Sequence, residues 1–196
     1  PYDLEKMDFC YDEINNNLRK HSIKGILICL SDMIFQPDLS QLDLSTDVIL
    51  IYDATQVLGL IAADKITNYF KFFSDKCSFV LAGSTHKTLP GPTNGLIMTN
   101  SQNIIRNLDL KINPDYLRSI QMHQVLSLIF CLEEFSIFGK EYMDAVVKNS
   151  NVLAGYLNNK GFEVIERNGV FSDTHQIFIH MPFEFTHAFY LDCQLY

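Results

Sequence analysis

The chain has 196 residues with a formal net charge of −8, a length that fits one good-sized core or one domain with part of another. Its 15 Lys and Arg are scattered rather than gathered into a stripe, which excludes nucleic acid as an expected partner. Uninterrupted apolar runs fall short of the roughly 18 residues that span a bilayer, so no membrane segment is expected.

The five cysteines, Cys10, Cys29, Cys77, Cys131 and Cys193, are odd in number, widely spaced and set mostly in apolar runs. Buried free thiols in a reducing cytoplasm are the expectation, and no metal site. The chain opens at Pro1 and closes on "FYLDCQLY" without a turn or cap. Both ends therefore read as cuts within a longer polypeptide.

In chain order, Tyr11, Ile14 and Leu18 recur at helical spacing behind Asp8, a suitable N-cap, and predict a helix ending near Lys20. "KGILICLS", "TDVILIYDAT" and "CSFVLAGST" are continuous apolar runs bounded by polar turn residues. Such runs belong to strands covered on both faces, as in a parallel sheet. "NGLIMTN", entered through Asn94-Gly95, predicts one more strand.

Beyond Pro114 the pattern becomes helical, from about Tyr116 to Phe138 with a break at Gly139. A second helix carries Tyr142, Ala145, Val146, Asn149, Leu153 and Tyr156 and stops before Gly161. "FEVIER" and "THQIFIHM" then read as strands of another layer. The expected fold class is α/β, with residues 1–145 forming part of a mainly parallel large domain and 146–196 a linking helix and the start of a small α+β domain.

Ligands of open α/β sheets sit outside the carboxyl ends of the strands. Three such ends carry polar groups: Ser31 after "GILICL", Asp53 after "VILIY", and Ser84, Thr85, His86 and Lys87 after "FVLAG". A carboxylate, hydroxyls and an amine at one rim suit an aldehyde cofactor held as a Schiff base. Pyridoxal 5'-phosphate needs a lysine for the imine and an acid to keep its ring nitrogen protonated, so that the ring can act as an electron sink. Lys87 and Asp53 supply those two groups.

"IYDATQVLGLIAAD" followed by "GSTHKTLPGPTNGLI" resembles the serine hydroxymethyltransferase group of fold-type I pyridoxal-phosphate enzymes, whose signatures read D-x-A-H-x-x-G-L-[IV]-A and T-T-T-H-K-T-L-x-G-P-x-G-G-L-I. The likeness runs from "MDFCYDEI" to "THQIFI", nearly the whole chain. It implies a three-layer α/β/α sheet domain, Lys87 as the Schiff-base lysine, His86 as the active-site histidine before it, and Asp53 on the pyridine nitrogen. It further implies Ser31 near the phenolic oxygen, with Ser84 and Thr85 beside the cofactor. Gln56 stands where the family has the histidine of D-x-A-H, able to hydrogen-bond the cofactor but not to titrate. Thr93 takes the usual arginine position of G-P-R-G-G, and "DKITNYFKFFSDK" is longer than the family's connection.

These departures count against folate-dependent transfer and toward aldol cleavage or transfer of a β-hydroxy-amino acid, as in threonine aldolase or transaldolase. An amino-acid decarboxylase or aminotransferase of the same fold is the alternative, "STHKTLP" also resembling the lysine motif of the ornithine, lysine and arginine decarboxylases. A cofactor-free fragment is the reading from another class. The resemblance implies a homodimer with shared active sites, acting on a small amino acid. The Tyr69, Phe70, Phe72 and Phe73 cluster is expected in the core or at a dimer contact. His175 and His180, five apart on one strand, point to opposite faces and are not expected to share a metal, and His123 and His187 read as ordinary polar or packing residues.

Overall fold

The computed structural model describes residues 2–3, 6–29, 31–117 and 119–181; Cys193 and His187, and residues 182–196 of the region expected to begin a small domain, lie outside them. A two-stranded antiparallel pair, β1 (Tyr2–Asp3) and β2 (Asp8–Phe9), leads into α1 (Tyr11–Lys20). The helix begins where expected, with a correction at its cap. Cys10 occupies the N-cap position without a side-chain bond, while Asp8 Oδ1 accepts from the Tyr11 hydroxyl at 2.6 Å and from the Phe9 amide at 2.7 Å.

The central sheet has the order β3 (Gly25–Cys29), β4 (Ile49–Asp53), β5 (Ser78–Ser84), β6 (Gly95–Thr99). The first three strands are parallel and β6 returns antiparallel to β5. Two short helices, α2 (Leu58–Ala62) and α3 (Tyr69–Phe73), lie between β4 and β5. Burial holds for one face of β4 and β5, where Leu50, Tyr52, Phe79 and Leu81 share a side and are all at most 3 % exposed. It fails on the opposite face, where Leu27 of β3 is 68 % and Ile49 of β4 is 36 % exposed, while Ile28, on the covered side of the same edge strand, is 6 % exposed.

The aromatic cluster belongs to the core. Phe73 stacks on Phe79 with ring centroids 5.7 Å apart and planes 10° apart. The Tyr69 hydroxyl donates to the Pro37 carbonyl at 2.8 Å and accepts from the Leu39 amide at 3.0 Å, which ties the β3–β4 connection to α3. The aromatic side chains of residues 64–76 are thus used inside the fold, and of the four only Phe72 is exposed, with the Lys76 ammonium 3.5 Å from its ring centre.

After β6, Ser101 Oγ accepts from the Ile104 amide at 3.4 Å and starts α4 (Gln102–Lys111), a helix not anticipated from the sequence, which runs into a π turn at Ile112–Tyr116. The expected break at Gly139 does not occur: α5 is one helix from Met122 to Asn159. Gly139 serves packing instead, since a Cβ there would lie 2.7 Å from the buried Phe135 ring. The middle of α5 is fixed by Met143, fully buried, and by ion pairs of Asp144 with Lys65 and of Lys140 with Asp64. By length and composition α5 is long and apolar enough to cross a membrane, although Phe135, Met143, Ser150 and Ala154 along it are buried against the rest of the protein.

The expected strands of the last region shrink to β7 (Glu163–Val164) and β8 (Ile179–His180), paired antiparallel. His175 lies before β8 in an irregular stretch rather than on the same strand as His180.

Candidate active site

The parallel register brings the ends of β3 and β4 level, and β5 runs two residues further. In the parallel ladder Cys29 stands opposite Asp53, and Asp53 opposite Ala82, so the residues that follow leave the sheet at one rim. Asp53 Oδ1 accepts from the Thr55 amide at 2.9 Å. The Cys29 thiol lies 3.5 Å from Asp53 Oδ2 and 3.4 Å from Ser31 Oγ. Burial alone would raise the Asp53 pKa, but the Thr55 hydroxyl and amide, the Cys29 thiol and the positive charge of Lys87 outweigh it and hold the carboxyl below its ordinary range. Ser31, Asp53 and Lys87 are therefore gathered on one side of the sheet.

Lys87 and His86 are exposed at the rim, in the loop between β5 and β6, while Ser84 ends β5 opposite Gly95 and Gln56 sits half-buried in the turn after Asp53. Thr85 is turned inward and fully buried. Its Oγ1 lies 2.6 Å from the Pro92 carbonyl oxygen and 3.1 Å from that of Asn94, and its amide donates to Asn94 O at 3.0 Å. The Gly91 amide donates back to Thr85 O at 2.7 Å. Thr85 thus closes the loop that displays Lys87.

Several residues of this region carry no reactive group and drew no expectation from the sequence. Thr88, buried, accepts at Oγ1 from the Gly59 amide at 3.1 Å, seating the lysine loop on α2. The "VLGLIAAD" stretch held the signal, a glycine inside a short apolar helix, which marks close backbone approach. A second set comes from far along the chain. Gln176 Oε1 accepts from the Met33 amide at 2.8 Å and its Nε2 donates to the Ser31 carbonyl at 3.0 Å. Thr174 Oγ1 donates to Met33 O at 2.7 Å, and the Asp173 amide to Ile34 O at 2.8 Å. The same segment is held from the other side by Ser150 and Asn151 of α5, which donate to Thr174 O and Ser172 O. Polar pairing across more than 130 residues fixes the loop that carries Ser31.

Cys77 is buried and Cys10 and Cys131 are half-buried free thiols, but Cys29 is exposed. The expectation of uniformly buried cysteines is corrected there, because Cys29 points from an edge strand toward the rim.

The donor set fits pyridoxal phosphate: an ionised, hydrogen-bonded carboxylate can hold a protonated ring nitrogen, and an exposed amine shares its side of the sheet. The serine hydroxymethyltransferase family model matches residues 2–186. Curated relatives include serine hydroxymethyltransferases of Sulfolobus acidocaldarius, 31% identical over 182 residues, and of Methanosphaera stadtmanae, 31% identical over 180. The alignments cover 91% and 90% of this chain and 41% and 42% of those proteins. A third, from Staphylothermus marinus, is 29% identical across 91% of this chain and 40% of its own length. The chain spans about two fifths of the length of these relatives, and it belongs to the serine hydroxymethyltransferase family of pyridoxal-phosphate-dependent transferases.

Proposed function

We propose that this chain forms part of an enzyme that makes or breaks the Cα–Cβ bond of a small β-hydroxy-amino acid. The observation that carries the reading is the Asp53 carboxylate, fixed by Thr55 and Cys29 and kept ionised within the field of Lys87. When bound, pyridoxal phosphate supplies the electron sink for the carbanion left at Cα. Asp53 keeps a proton on the ring nitrogen, which a neutral partner could not do. Lys87 provides the amine that holds the aldehyde and, once released, moves a proton to or from Cα. His86, next to it in the chain and exposed at the same rim, would face the bound substrate.

Ser31 and Gln56 orient the ring through its polar substituents, and Ser84 and Thr85 shape the loop that presents Lys87. Gln56 and Thr93, an amide and a hydroxyl where the family signature has a histidine and an arginine, favour aldol cleavage or transfer without folate. Residues 1–145 serve as part of the cofactor-binding domain and 146–196 as the link to a smaller one. The active unit is a homodimer: Leu126, Ile129, Phe130, Ile137 and Phe138 leave an apolar face on α5, each more than half exposed, of the kind a partner subunit covers.

The test is to load the chain with pyridoxal phosphate, reduce with borohydride, map the labelled peptide, and analyse products from threonine and serine. Label on Lys87 with glycine and an aldehyde as products supports the reading. Release of CO2 would instead indicate a decarboxylase, and absence of any label would indicate a cofactor-free protein.

A further inference from the structure

Asp53 has two carboxylate oxygens, and each meets a different donor. Oδ1 takes the Thr55 amide of its own turn, which fixes one point of the group and leaves it able to twist. The second point comes from the adjacent strand. Cys29 and Asp53 are paired in the β3–β4 ladder, so their side chains project to the same face, and Cys29 Sγ lies 3.5 Å from Oδ2. A thiol has one proton. With that proton on Asp53, the sulfur is free to accept from the Ser31 hydroxyl, 3.4 Å away.

The other end of this chain of bonds is anchored as well. The Ser31 carbonyl accepts from Gln176 Nε2 at 3.0 Å, and Gln176 Oε1 takes the Met33 amide. With its own carbonyl and the Met33 amide both held by Gln176, Ser31 has little freedom to leave the sulfur.

We propose that Cys29 is a positioning residue for Asp53: it donates its thiol proton to Oδ2, is itself oriented by Ser31, and so sets the plane of the carboxylate presented to the ligand. The proposal rests on the cofactor reading for its purpose but not for its geometry. A thiol suits the position because it is a weak donor: it aligns Oδ2 without competing strongly against a charged partner such as a pyridinium. An ordinary surface cysteine would have no reason to be paired on both sides with the groups of the rim.

The test uses the whole chain without cofactor, so that its outcome is independent of whether pyridoxal phosphate binds. Carboxyl-carbon NMR follows the Asp53 titration in the parent and in Cys29→Ala, and timed iodoacetamide labelling with peptide mapping follows Cys29 in the parent and in Asp53→Asn. In Cys29→Ala the Asp53 midpoint rises, because a donor to the ionised form is lost. In Asp53→Asn the labelling of Cys29 speeds up severalfold, because the thiol is no longer held on the carboxylate oxygen. An Asp53 midpoint unmoved by Cys29→Ala, or a Cys29 labelling rate unmoved by Asp53→Asn, would overturn the assignment. The labelling arm alone decides the question should Cys29→Ala fail to fold.

Discussion

The Gly59 amide donates to Thr88 Oγ1 at 3.1 Å, and a Cβ on Gly59 would lie 2.3 Å from the Thr88 carbonyl oxygen. The main chains of α2 and of the lysine loop touch at this point, and any side chain at position 59 would push them apart. Overpacking against backbone costs on the order of 3 kcal/mol. Gly59→Ala should lower the unfolding free energy measured by urea titration by about that amount and weaken retention of pyridoxal phosphate. Unchanged stability would show that the loop is not seated on α2.

Replacing Lys87 by alanine should leave no borohydride-fixed label on the protein, with the unfolding free energy within about 0.5 kcal/mol of the parent, as for an exposed position. Asp53→Asn should keep the label but lose carbanion chemistry. Label recovered on another lysine in the Lys87→Ala protein would show that a different amine holds the cofactor.

The clamp on Ser31 can be probed through Gln176. Gln176→Leu leaves the Met33 amide and the Ser31 carbonyl without their side-chain partner, at a cost of about 1–3 kcal/mol, and the Met33 amide should exchange its hydrogen faster with solvent. Exchange at Met33 equal to that of the parent would remove the clamp from the account of this site.

His175 is half-buried, and its Nδ1 has no hydrogen-bond partner among the described residues. Burial holds its pKa below the usual histidine value. The unfolded chain, titrating near about 6.5, binds the proton first on acidification. Stability from this group is therefore complete above that value and declines as pH falls toward the folded-state pKa. Urea midpoints measured at about pH 7.5 and 5.5, on either side of the unfolded-state value, should differ less in His175→Gln than in the parent.

The apolar face of α5 predicts self-association. Phe130, 69 % exposed, replaced by glutamate should raise the concentration at which the dimer dissociates on the order of tenfold or more, without loss of thermal stability. Sedimentation across a dilution series checks it, and equal dissociation of parent and variant would move the interface elsewhere.

The strands were legible because each apolar run ends in a polar residue at the point where the sheet ends, and Ser31, Asp53 and Lys87 followed from those three ends. Gly139 misled because glycine marks helix ends as well as close packing, and only the Phe135 ring, four residues back and folded over it, distinguishes the two. The aromatic segment 69–73 reads equally as surface or core until Phe79 is placed against Phe73. Gln176 and Ser31 are separated by 145 positions, and no local pattern links an amide in one irregular segment to a carbonyl in another.

The antiparallel return of β6 has a mechanical consequence. Because β5 and β6 are paired up to Ser84 and Gly95, the loop carrying Lys87 is a hairpin tip anchored on both sides to the same two strands, with Thr85 stitching it across its base. Travel of the lysine nitrogen between a ligand-bound and a free position then falls to rotation about the side-chain carbons, on the nanosecond scale of exposed rotamers. The main chain need not swing, and the amine stays within the radius of its own four methylene groups.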